Sequence, residues 1–116
     1  AASDGAVPLL RMFPDAGDAP GVDPARVPRP ERGRRVLSAY EAHASQSIVA
    51  YEVPTPKDVA FHDYLEALEA AGFGATQPDL AQGGTAHIGL FQRGGQSVVV
   101  VSEDAEVGSR IVISTL

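Results

Sequence analysis

Apolar and polar positions recur along this chain with two periods, and one long stretch keeps neither. Between Thr55 and Phe73 the period is helical. Phe61, Tyr64, Leu65, Leu68 and Ala71, with Ala60 beside them, fall on one stripe of a helix. Thr55 is a good N-cap, Pro56 suits the first helical position, and Asp58 brings negative charge to the positive helix end. Gly72 supplies the left-handed residue that ends a helix, and Phe73 then folds back on Leu68 in a Schellman stop.

The other period is two. VLSAYEA and QSIVAYEV flank His43-Ala44-Ser45 and read as a strand pair, with Val36, Ser38 and Tyr40 on one face of the first strand and Leu37 and Ala39 on the other. In the second strand Val49, Tyr51 and Val53 form the inward set, and Pro54 stops it. The clearest hairpin joins residues 86–93 to 96–102 through Gly94-Gly95, expected as a type I′ turn. Its register sets Arg93 opposite Gln96, Phe91 opposite Val98, Leu90 opposite Val99 and Ile88 opposite Val101. A turn around Glu103 to Gly108 leads to a last strand at RIVISTL, and residues 76–85 read as a loop.

The order β-β-α-β-β-β predicts an α+β fold: one antiparallel sheet of about five strands, with one amphipathic helix packed on one face. Val98 to Val101 is apolar on both faces, so the face away from the helix needs a cover: the tail, a second copy or a partner.

The stretch with neither period is residues 1–35. It holds six of the nine prolines and predicts an extended Pro/Arg-rich N-terminal arm preceding a small domain at 36–116. Turns are expected at Asp15-Ala16-Gly17 and Pro20-Gly21. The arm contains an apolar cluster, Val7, Leu9, Leu10, Met12 and Phe13, which either packs back on its own domain or docks on a partner. Arg26, Arg29 and Arg32, followed by Arg34 and Arg35, form a basic run that either is a solvated linker partly neutralised by Glu31 or meets anionic lipid headgroups, an acidic partner or nucleic acid. These eight residues, Val7 to Phe13 and Arg26 to Arg32, are the expected partner-binding set.

Charge divides the chain in the same place. Residues 1–35 carry six Arg against five acids, and residues 36–116 three basic groups against ten acids. An acidic body with its aromatics in core positions argues against nucleic acid. The absence of Cys removes disulfides and thiolate metal sites, and no apolar run is long enough to span a membrane. Ala1-Ala2-Ser3 has the small residues that signal peptidase leaves, which with the arm's composition predicts a periplasmic or extracellular setting in a bacterium.

No set of residues reads as catalytic, and no cofactor or metal is expected. His62 and Glu66 lie one helical turn apart, but two ligands do not make a metal site. Gly83-Gly84-Thr85-Ala86-His87 precedes a strand, where a phosphate loop needs a helix. Glu41, His43, Ser45 and Ser47 share one hairpin and lack the scaffold of a nucleophile–base relay. The expectation is a non-catalytic interaction subunit or accessory domain of an envelope-associated or extracellular assembly, held through its arm. The alternative is a small-ligand binder using a cleft between helix and sheet near residues 76–85.

Overall fold

The computed structural model describes residues 18–21, 24, 26–41, 46–77 and 85–116. Within them lie β1 (Arg34–Glu41), β2 (Gln46–Val53), α1 (Lys57–Ala70), β3 (Gly74–Gln77), β4 (Ala86–Arg93), β5 (Gln96–Asp104) and β6 (Ser109–Thr115). The strands make one antiparallel sheet in the order β1-β2-β6-β5-β4-β3, with the helix packed on one face. This is the expected α+β architecture with six strands instead of five. The added strand, β3, is a short edge strand taken partly from the expected loop. Its Gly74 and Ala75 pair with Gln92 and Phe91, and its register breaks before Gln77.

The helix stop follows the expectation closely. Gly72 takes φ 95°, the Phe73 amide donates to the Leu68 carbonyl at 3.0 Å, and the Gly72 amide donates to Glu69 at 3.0 Å. The start does not. Pro56 is the boundary residue, with φ −60° and ψ 158°, and no side chain caps the first turn. Thr55 therefore lies one residue too early for its hydroxyl to serve as the cap. The β4–β5 hairpin has the expected register throughout. Of its two turn residues only Gly94 has a positive φ, 57°, which is the pattern of a II′ turn and not the expected I′. In β1 a bulge between Arg35 and Leu37 takes Val36 out of the alternation, leaving Ser38 and Tyr40 on one face and Leu37 and Ala39 on the other.

The core forms where the helix meets the sheet. Val49, Tyr51 and Val53 of β2, Phe91 of β4, Val98 and Val100 of β5, and Ile111 and Ile113 of β6 are buried against Ala60, Phe61, Tyr64 and Leu68 of α1, with Phe73 closing one end. The helix lies over β3 to β6. The β1–β2 side of the same face is covered by residues 18–21, 24 and 26–33, which pack as a strap.

The strap is fixed at several points. Val27 joins the core, Pro30 is buried, and Tyr64 donates its hydroxyl to the Pro28 carbonyl at 2.6 Å. The Arg29 guanidinium lies over the Tyr51 ring at 5.2 Å, and Arg93 donates to the Arg26 carbonyl at 3.1 Å. Ala19 donates its amide to the Arg35 carbonyl at 2.7 Å on the outer edge of β1. Asp18 accepts from Arg29 through both carboxylate oxygens and from the Arg35 amide at 2.9 Å. The Arg29 bond, and then the Arg35 amide, hold the Asp18 carboxyl down at about 2. The described residues between 18 and 33 thus pack against the sheet and helix.

Candidate interaction face

Antiparallel register fixes which side chains lie opposite the helix. They are Arg34, Leu37 and Ala39 of β1, Ile48, Ala50 and Glu52 of β2, Arg110, Val112 and Ser114 of β6, Val99, Val101 and Glu103 of β5, and Ile88, Leu90 and Gln92 of β4. No described helix or loop lies over this face. Leu37 and Ile48 are 52% and 45% exposed, and Ile88, Leu90, Val99, Val101 and Val112 are half-buried. The result is an apolar surface running across five strands from Leu37 to Leu90.

One end of this face is polar and internally balanced. Arg34 donates to Glu52 at 2.9 Å, Arg110 reaches Glu52 and Glu103 at 3.4 Å each, and the four side chains form a ladder of alternating charge across β1, β2, β6 and β5. The ladder leaves one loose end. Among the described residues, no hydrogen-bond partner faces the buried Arg34 Nη1. At the opposite end of the strands Tyr40, Ile48, Ser114 and Leu116 border a groove of about 320 Å³, whose walls include the 70% exposed Tyr40 and 57% exposed Leu116.

The helix side offers one polar cluster. His87 Nε2 lies 2.5 Å from Asp58 Oδ1, and its ring stacks on Phe61 with centroids 5.1 Å apart. Ser102 is directly opposite His87 across the strands, which puts Ser, His and Asp within one neighbourhood. Their geometry is not that of a nucleophilic relay. Ser102 is fully buried and donates its hydroxyl to the Lys57 carbonyl at 2.9 Å, so the oxygen is neither accessible nor aimed at a substrate. The sequence reading missed this cluster. The hairpin register alone puts His87 on the helix face, but it does not give the helix position that brings Asp58 to it.

Of the expected partner-binding residues, Val7, Leu9, Leu10, Met12 and Phe13 lie outside the described residues. Arg26, Arg29 and Arg32 are all exposed. Arg29 is tied to Asp18 and Gly33, while Arg26 and Arg32 occupy left-handed backbone positions at φ 65° and 59°. Arg34 and Arg35 are likewise engaged, with Glu52 and with the carbonyls of Ala19 and Gly21. Most of the basic run is thereby committed within the chain. Residues 78–84 of the expected ligand loop also lie outside the described residues. The cavity between strap and helix measures about 130 Å³, below the size of an ordinary small-molecule site. His62 and Glu66 form the expected exposed helical pair at 3.5 Å. Among the described residues no helix is long and apolar enough to cross a membrane, and no three His, Asp or Glu side chains are grouped to hold a metal ion.

No protein family, curated protein or solved structure matches this chain.

Proposed function

We propose that this protein is a non-catalytic interaction domain whose working surface is the sheet face opposite the helix. The observation that carries the reading is the apolar run from Leu37 through Val112 and Val101 to Leu90, which no described element covers. Six strands about 4.8 Å apart and about eight residues long offer roughly 700 Å² of face. A standard protein interface buries about 800 Å² on each partner, so this face and its rim suit one such contact. The apolar centre supplies the burial, and the Arg34–Glu52–Arg110–Glu103 ladder forms a polar rim that fixes orientation without excess charge of either sign. The occupant is a protein surface or a second copy, which can cover a flat apolar sheet in the manner of two stacked sheets. The periplasmic or extracellular setting expected from the sequence is part of this proposal.

A photoreactive side chain at Val101, compared with one at Val59 on the exposed outer side of the helix, tests it in the native cellular setting. The expected result is a defined cross-linked product from position 101 and none from 59. Equal labelling from both positions, or none from 101, would remove the reading.

A further inference from the structure

The charge ladder on the open face has a symmetry that selects what docks there. We infer that the occupant is a second copy of this chain, seated face to face about a two-fold axis that runs along the strands between β2 and β6. The inference rests on the open face being the working surface.

The ladder carries the argument furthest. Arg34, Glu52, Arg110 and Glu103 stand side by side on β1, β2, β6 and β5, so their charges read plus, minus, plus, minus. Reversing that order exchanges every sign. A two-fold axis along the strands reverses it, which brings Arg34 over Glu103 of the second copy and Glu52 over Arg110 of the second copy. Symmetry repeats both contacts, so four opposite-charge pairs form at once. Shifted onto β6, the same axis would set Arg110 against Arg110 and Glu52 against Glu103, which like-charge repulsion disfavours. An axis across the strands would carry the row to the far end of the second copy, away from its counterpart. The alternation therefore fixes both the direction of the axis and its position.

The apolar rows behind the ladder fit that axis. Leu37 comes over Val101 of the second copy and Ala50 over Val112 of the second copy. One row further on, Ala39 meets Val99 and Ile48 meets Ser114. Three of these four pairs set a small side chain against a larger one, which lets two facing layers interdigitate. The axis also leaves the strands of the two sheets aligned, as in a sandwich.

The unmatched donor belongs to the same contact. Among the described residues, no acceptor faces the buried Arg34 Nη1. Glu103 is the more exposed of the two ladder acids, 40% against 33% for Glu52, so its carboxylate is the one more open to a donor from outside the chain. Four strands of each copy overlap, about 500 Å² a side and about 1,000 Å² in all, the lower edge of specific interfaces. The expected dimer is thus a reversible one.

Sedimentation of the purified full-length chain across a dilution series is expected to show a dimer that dissociates as it is diluted. Arg34→Glu and Glu103→Arg should each give monomers, because each sets like charges across the interface. Mixed in equal amounts, the two variants should regain the dimer, since every altered charge then meets its opposite. Recovery also shows that both variants fold. Where the reversals do not recover, the neutral changes decide. Arg34→Gln and Glu103→Gln are each expected to raise the dimer dissociation constant about tenfold, and together in one chain by less than the product. Within a chain the two residues lie three strands, or about 14 Å, apart, so that coupling arises across the interface. A wild-type chain that stays monomeric at every concentration would overturn the inference. So would a dimer that either reversal leaves intact, or neutral changes whose effects simply multiply. A monomeric wild-type chain that still cross-links from Val101 leaves the docking reading standing, with a different protein as the occupant.

Discussion

The two faces of this sheet draw on the same aliphatic residues and differ in what accompanies them. The helix side carries Tyr51 and Phe91 and receives Phe61, Tyr64 and Phe73, five aromatics that are almost wholly buried. The open side has Leu, Ile, Val and Ala, interleaved with Ser114, Gln92 and a row of paired charges, and no aromatic. Aromatic side chains supply the largest burial per residue and belong where the cover is permanent. Medium aliphatics with a charged border suit a surface that is covered and uncovered. Among the described residues, α1 and residues 18–21, 24 and 26–33 divide the helix side between them.

The contrast is broken most severely by removing the strap. A chain beginning at Val36 loses Val27 from the core, the carbonyl that accepts from Tyr64 and the guanidinium over Tyr51. It is expected to be far less resistant to urea than a chain beginning at Asp18, which keeps all three. Equal unfolding midpoints for the two truncations would show the strap to be an ornament. Next is Phe91→Ala, which empties a fully buried aromatic site and is expected to cost about 3–5 kcal/mol in denaturant unfolding.

Tyr64→Phe removes the bond to Pro28 and is expected to cost about 1 kcal/mol, with the helix intact by circular dichroism. The smallest effect belongs to Asp18. Its carboxyl ionises at about 2 in the fold against 3.8 ordinarily, so its contribution is full above pH 4 and is lost as pH falls towards 2. Asp18→Asn should therefore lower stability at pH 7 slightly and flatten the decline between pH 4 and 2. An unchanged acid limb in a pH titration of the unfolding midpoint would show that the Arg29 pair is not maintained in solution.

Much of the frame was legible in the sequence because its signals are local. The 3.6-residue stripe, the Gly72–Phe73 stop and the Gly94-Gly95 hairpin each follow from neighbouring residues, and with the hairpin comes the register of β4 on β5. What was not legible depends on distant contacts. Gly74-Ala75-Thr76-Gln77 has no strong strand pattern and becomes β3 only because β4 offers a free edge. Proline content forbids helix in residues 18–33, but it does not say that Val27 enters the core or that Arg29 stacks on Tyr51. The open face was legible in outline, since Val98 to Val101 is apolar on both sides.

The central claim, that the open face is a docking surface and not a second core, is tested most directly by Val101→Glu. Thermal unfolding and the mass of the native particle should be measured on the same variant. A substitution outside the core is expected to cost no more than about 0.5 kcal/mol, moving the midpoint by less than about 4 °C, while the complex disappears. A collapse in stability comparable with that of Phe91→Ala would contradict it, as would a complex that survives a charge at the centre of the face.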